Sequence, residues 1–206
     1  KLRWLLENNS AVAAALDTDT LVMGPLASYL LHHLTDNVAE LVDDANASCT
    51  LLWNLEQRDW DNTLLGYFDI PSRVLPQCKP ISFDYGAIRG SARPVTAVNG
   101  DQTAALYAHG PPSGNTVTVN IGTGAFVLLP TEDPLTRPDG LLAGISHSDA
   151  QLGSYYIEGT VNAAAAALEW AAGSFALSNV EQQLPGWLET INAPTLFINT
   201  LGGLGS

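Results

Sequence analysis

Apolar positions recur at helical spacing from the start of the chain, where Lys1-Leu2-Arg3-Trp4-Leu5-Leu6-Glu7 reads as an amphipathic helix. Residues 22–34 form a second helical run, with Pro25 in its first turn, where a missing N–H is not needed. Asp43-Asp44-Ala45-Asn46-Ala47-Ser48 is a polar segment that reads as a turn before the apolar residues 50–55. Asp59-Trp60-Asp61 leads into a short helix over 62–68, and Ile70-Pro71 and Leu75-Pro76 punctuate a connection. Residues 81–98 read as loop or strand, and 101–109 as helix. After Pro111-Pro112-Ser113-Gly114-Asn115 the period changes to two: residues 116–121 alternate as a strand, 125–129 pair with it, and Gly122-Thr123-Gly124 makes the turn. A strand over 154–157 and a helix over 160–172 follow; the five alanines at 163–167 are small enough to let another segment approach the backbone. A short strand over 195–199 and a glycine-rich loop, Gly202-Gly203-Leu204-Gly205-Ser206, end the chain. A chain rarely ends naturally on such a loop, so a longer protein is expected. No internal repeat is visible.

The pattern divides an α/β chain into two units, 1–110 and 111–206, with the proline pair as boundary. With 206 residues, 46% of them hydrophobic and 14% charged, a sizeable core is available. The net charge of −13, from 21 acids and 8 bases, argues against nucleic acid or an anionic membrane as partner. No apolar run reaches membrane-spanning length, and no signal-peptide pattern opens the chain. Cys49 and Cys78 are too few and too far apart for a disulfide framework or a zinc site, and read as free thiols of a cytoplasmic protein. His32, His33, His109 and His147 show no metal-ligand spacing. Beyond Arg137 there is no Lys or Arg. A nucleotide bound by the second half would therefore rest on backbone amides, helix N-termini and Mg²⁺.

The chemistry concentrates in two places. Residues 94–98 deliver Asp101 and Gln102 to the start of an Ala-rich helix, and Asn120-Ile121-Gly122-Thr123-Gly124-Ala125-Phe126 follows about twenty residues later. Asp101 can accept the proton of a hydroxyl, and a carboxylate also suits Mg²⁺–nucleotide; its plain alternative is a helix N-cap. Gly122, Thr123 and Gly124 can wrap N–H groups and a hydroxyl around a phosphate; their alternative is an ordinary hairpin whose glycines tolerate positive φ. Phe126 is by default a core residue. Glu158-Gly159-Thr160 reads as a strand exit and helix cap, and the five Trp residues as packing. An alcohol-activating group beside a phosphate-holding group suggests phosphoryl transfer to an alcohol.

Nine segments in order resemble the FGGY family of carbohydrate kinases, most of all its glycerol kinases. They are Lys1-Leu2-Arg3-Trp4-Leu5-Leu6, Asn46-Ala47-Ser48-Cys49-Thr50-Leu51-Leu52, Trp60-Asp61-Asn62-Thr63-Leu64-Leu65, Ile70-Pro71 through Leu75-Pro76, Gly100-Asp101-Gln102-Thr103-Ala104-Ala105-Leu106, Gly122-Thr123-Gly124-Ala125-Phe126, Gly140-Leu141-Leu142, Glu158-Gly159-Thr160, and Leu201-Gly202-Gly203-Leu204-Gly205-Ser206. The resemblance implies the actin–hexokinase–chaperone ATPase (ribonuclease H-like) fold. Residues 1–110 would be the later part of lobe one and 111–206 the earlier part of lobe two. It implies Asp101 as catalytic base, near Mg²⁺ through a water. Gln102 would contact a small polyol or sugar substrate, Phe126 would pack on its carbon side, and Gly122, Thr123 and Gly124 would lie on ATP phosphates. Two nucleotide-contacting positions that are glycine and glutamine in glycerol kinases are Ala165 and Glu169 here. The family's early phosphate loop and its adenosine segment fall outside the chain, so the isolated chain is expected to be inactive. The competing expectation is a non-catalytic module of the same fold that binds sugar or a protein partner. A homo-oligomer is compatible with either.

Overall fold

The computed structural model describes residues 1–36, 39–193, 195, 197, 198 and 200–203. Helices α1 (Leu2–Asn8) and α2 (Ser10–Asp17) are joined by Asn9, whose side chain accepts from the N–H groups of Ala11 and Val12 and so caps α2. Leu2, Leu5, Leu6 and Leu16 pack on a buried cluster of Met23, Leu52, Leu65, Ile70 and Val74. Helix α3 (Leu26–Leu34) starts later than its sequence suggests, with Pro25 as N-cap. Two causes act there: the Met23 N–H donates to the Val74 carbonyl at 2.7 Å, and a residue before proline, here Gly24, is biased away from helix.

The polar segment is not a turn. Strand β1 (Leu41–Asp43) runs parallel to β4 (Gln77–Lys79), and helix α4 (Asp44–Ser48) follows it directly. Asp43 caps α4, its carboxylate accepting from the Asn46 N–H at 2.9 Å and the Asn46 Nδ2 at 2.8 Å. Because these acids have partners, they tolerate burial: Asp43 is 0% and Asp44 2% exposed. Strands β2 (Trp53–Asn54) and β3 (Asp59–Trp60) form a hairpin. Helix α5 (Asn62–Tyr67) is capped by Asp61, and a 3₁₀ turn at Ser72–Val74 precedes β4. Residues 81–98 make only isolated bridges, folded around fully buried Tyr85. Helix α6 (Asp101–Ala105) is shorter than expected; the chain turns through Gly110, which has φ +107°.

The second half is a four-stranded antiparallel sheet of β5 (Thr118–Ile121), β6 (Ala125–Thr131), β7 (Leu142–Ser148) and β8 (Gly153–Val161), in the order β5-β6-β8-β7. Glu158-Gly159-Thr160 lies inside β8, so it is neither a strand exit nor a cap. The helix expected from residue 160 therefore begins later, as α7 (Ala165–Ser174), and α8 (Val180–Thr190) follows. The strand expected over 195–199 falls on a stretch where residues 194, 196 and 199 lie outside the described residues, as do 204–206 of the final loop. Gly202 does pack on the start of the alanine run. A Cβ there would stand 3.1–3.2 Å from the Cβ atoms of Asn162 and Ala163, and Asn162 Nδ2 donates to its carbonyl at 3.2 Å.

Strand β7 ties the halves together. Ile145 is buried with Val42, Ala45, Ala47, Trp53 and Ile81. The Ser148 hydroxyl donates to Asp44 Oδ1 at 2.6 Å and accepts from the Ile81 N–H at 2.8 Å. Arg58 reaches the other Asp44 oxygen at 3.1 Å and the Asp149 carbonyl at 3.2 Å. No helix among the described residues is long and apolar enough to cross a membrane.

Burial, and secondarily the charge of Asp44, raises the Asp43 carboxyl to about 6, against the hydrogen bonds from Asn46. An unfolded aspartate titrates near ~3.9. The folded state therefore binds the proton more tightly, and this contribution to stability is present at low pH and is lost as pH rises through about 6. Acidifying from pH 7 to 5 should stabilise the chain by about 1 kcal/mol through this group. Asp43→Asn should remove most of that gain in urea titrations at the two pH values, leaving the smaller share of Glu158, which burial also raises.

Candidate active site

Helix α6 is seated on the sheet by Leu106, buried with Leu128 and Tyr156. The Thr103 hydroxyl adds a 3.4 Å contact to the Tyr156 hydroxyl, whose pKa burial pushes up to about 12. Gly144 makes room for that ring, since a Cβ would stand 2.5 Å from the Tyr156 hydroxyl oxygen. This packing turns the start of α6 outward. Gly100 is the N-cap and Asp101 the first helical residue, so Asp101 is not the cap that its alternative reading requires. Its carboxylate is exposed and, among the described residues, accepts only the adjacent Gln102 N–H, at 2.8 Å. Its second oxygen is thus open to a hydroxyl or a hydrated cation.

Gln102 points to the sheet. Its Oε1 accepts from Asn120 Nδ2 at 2.8 Å. Asn120 is paired with Phe126 across β5 and β6, and Phe126 with Thr160 across β6 and β8, so the three side chains share one face. The structure thus brings Gln102 and Phe126 to one place through Asn120, to which the sequence reading gave no role. Its only sequence signal is its position two residues before Gly122. Over two residues a strand advances about 7 Å, so the Asp101 turn and the Gly-Thr-Gly turn border a common space.

The turn itself differs from expectation in what its glycines do. Neither Gly122 nor Gly124 has positive φ. Gly124 is needed for close approach, since a Cβ would stand 2.7 Å from the Val161 carbonyl oxygen. The tip at Gly122 is open, its nearest atom at 4.0 Å from a built Cβ. Thr123 is exposed. The carbonyls of Thr123 and Gly122 accept the N–H groups of Ala164 (2.8 Å), Ala165 (3.1 Å) and Ala166 (3.3 Å). The first amides of α7 are therefore spent on holding the turn and cannot also cradle a phosphate. Ala165 and the exposed Glu169 line a cavity of about 430 Å³ between α7 and α8, with Leu168, Leu177, Asn179 and Glu181 among its walls. Among the described residues no three His, Cys, Asp or Glu side chains stand together to hold a metal.

The family model for the FGGY carbohydrate kinases, N-terminal domain, matches residues 1–105. Glycerol kinase 1 of Clostridium tetani is 33% identical over 82% of the chain, and the glycerol kinase of Thermococcus kodakarensis 32% identical over all of it. The chain spans 35% and 42% of the lengths of these two relatives. Among solved structures, Plasmodium falciparum glycerol kinase with ADP superposes with a TM-score of 0.82 at 23% identity, over 91% of this chain and 39% of its own. Xylulose kinase from Rhodospirillum rubrum gives 0.75 at 20% identity, over 93% and 40%. The fold is the actin-like ATPase fold of these sugar kinases.

The two glycines of the turn should respond differently to a methyl group. Gly124→Ala should cost about 1–3 kcal/mol of stability, because backbone must shift. Gly122→Ala should cost under ~1 kcal/mol. Denaturant unfolding of both variants checks this; equal costs would mean that the close approach to Val161 is relaxed at no expense.

Proposed function

The chain belongs to the FGGY family of carbohydrate kinases, and we propose that the protein containing it transfers the γ-phosphoryl group of ATP to a primary hydroxyl of a small polyol or sugar. The observation that carries this reading is the Gln102–Asn120 hydrogen bond. It links the residue beside Asp101 to the strand that ends in Gly-Thr-Gly, so an acceptor alcohol and a nucleotide phosphate would be neighbours. In this reading residues 1–110 belong to lobe one, which presents Asp101, and 111–206 to lobe two, which presents the nucleotide side. Asp101 takes the proton of the attacking hydroxyl and reaches Mg²⁺ through a water. Gln102 orients the acceptor, with Asn120 fixing its amide, and Phe126 covers the carbon side of the substrate. Thr123 and the outer N–H groups of the turn face the phosphates, while the cavity between α7 and α8, lined by Ala165 and Glu169, supplies one wall of the nucleotide site. When bound, MgATP supplies the transferable phosphoryl group and the charge that offsets it. The protein's part is positioning and electrostatic stabilisation. A cytoplasmic location fits a reaction that consumes ATP.

Asp101→Asn in the full-length protein should lower kcat at least ~100-fold with a much smaller change in KM for the acceptor. A coupled ADP-release assay reads this, and near-normal kcat would remove the base from the proposal.

A second reading, a nucleotide site weakened in this chain, has two observations in its favour. The α7 amides are occupied by the turn carbonyls, and Glu169 puts a carboxylate on the cavity wall where no Lys or Arg follows Arg137. Glu169→Gln should then tighten ATP binding by about 1 kcal/mol, for a solvated carboxylate close to phosphate. Calorimetric titration decides: unchanged affinity would show Glu169 to be neutral toward the nucleotide.

A further inference from the structure

Two unassigned features meet beneath the Asp101 turn. The first is in β7. Ile145 pairs with Tyr155 and His147 with Ser154, so Ser146 is an extra residue on β7, a bulge. Bulges next to active sites commonly re-aim a side chain. Here the bulge sends Ile145 and Ser146 inward in succession: both are 1% exposed. Among the described residues the Ser146 hydroxyl has no hydrogen-bond partner. A buried hydroxyl left without one is uncommon and calls for a reason.

The second feature is Asn99, two residues before Asp101. Its Nδ2 donates to the Ser146 carbonyl at 3.4 Å, which is long for a hydrogen bond. Its Oδ1 accepts from the N–H of its own neighbour, Gly100, at 2.8 Å. The side chain therefore touches the bulge with its donor and holds the start of α6 with its acceptor. The bulge is itself fixed two residues on, where Ser148 is bonded to Asp44 and to the Ile81 N–H.

We propose that Asn99 and Ser146 are a positioning pair for Asp101: the Asn99 amide clasps the β7 bulge through both the carbonyl and the hydroxyl of Ser146, and so sets the Asp101 turn against the sheet that carries Gly-Thr-Gly. The clasp is half made. The bond to the carbonyl is long, at 3.4 Å, and the second arm is the Ser146 hydroxyl, unpartnered among the described residues, donating to Asn99 Oδ1, where the Gly100 N–H leaves one lone pair open. A small advance of the Asn99-Gly100-Asp101 turn toward β7 shortens the first bond and completes the second. The functional part of this inference rests on the reading of Asp101 as base.

Amide hydrogen exchange on the whole chain, without nucleotide, tests the clasp. Asn99→Ala should speed exchange at residues 100–103 by at least ~10-fold, with β1 and β4 unchanged, because only local opening is made easier. Ser146→Ala deletes only the hydroxyl arm, which is made when the turn advances, and should produce a smaller rise at the same amides than Asn99→Ala; no rise would overturn the hydroxyl arm. The double variant should do no more than the larger single one, since the two side chains serve one contact. Asn99→Asp, equal in size, loses the N–H donor to the Ser146 carbonyl but keeps an oxygen for the Gly100 N–H, and should raise exchange at the same residues by less than Asn99→Ala. Additive rises, a rise spread evenly over all strands, or an Asn99→Asp variant with wild-type exchange would each overturn the clasp. In the full-length protein Asn99→Ala should lower kcat about 10-fold with KM for ATP unchanged, the pattern of a lost alignment; a change in KM alone contradicts the positioning role. Should Asp101→Asn leave turnover intact while exchange behaves as described, the base assignment falls and the clasp stands.

Discussion

A buried hydrogen bond of 2.6 Å, from the Ser148 hydroxyl to Asp44, joins the two halves of this chain. Asp44 sits at the head of α4, where β1 ends, and Ser148 at the end of β7. A carboxylate with 2% exposure is stable only when its oxygens are occupied. Ser148 takes one oxygen and Arg58 the other, so the acid can be satisfied only when the sheet is docked. The docked position places α6 over Leu128 and Tyr156 and brings Gln102 within reach of Asn120. Everything assigned to the site follows from that placement.

The site then separates duties between its two sides. The start of α6 offers an exposed carboxylate, Asp101, held by little more than its own helix turn. The sheet offers a rigid hairpin whose carbonyls, not its amides, are committed to α7. The arrangement is short of positive charge, because every Lys and Arg of the chain lies at or before Arg137. In the proposed reading the anion is met by Thr123, the outer amides and a cation brought with the nucleotide, which would make the acidic neighbour Glu169 consequential.

Much of this was legible in the sequence where local chemistry decides structure. The hairpin around Gly122-Thr123-Gly124 follows from period-two alternation, and α5 from a run beginning after its capping Asp61. Where long-range partners decide, the sequence misleads. Asp43-Asp44-Ala45-Asn46 looks like solvent-facing turn, yet both acids are buried: Asn46 partners Asp43 within the segment, while Asp44 depends on Ser148 and Arg58, which lie outside any local window. Strand β7 escapes notice because Gly144, Ser146, His147 and Ser148 look like loop residues; Gly144 yields to the Tyr156 ring and Ser148 is bonded across the interface. Glu158-Gly159-Thr160 reads as a strand end because glycine usually marks one, but pairing with β6 and β7 carries β8 on to Val161. The candidate residues Asp101, Gln102, Phe126 and Thr123 were visible as motifs. Asn120, which links Gln102 to Phe126's face, was not, since an asparagine in a strand has no signature of its own.

The central claim is that the hairpin tip and the slot between α7 and α8 form the nucleotide side of one site. The most direct test is the amide NMR spectrum of the chain during titration with MgADP. Shifts should centre on Gly122, Thr123 and Gly124 and on α7 and the start of α8, from Ala165 to Glu181, with weaker effects at Asp101 and Gln102. Shifts centred instead on the apolar groove of Met23, Trp60 and Ile70, or on the recess beside Arg58 and Lys79, would contradict the claim.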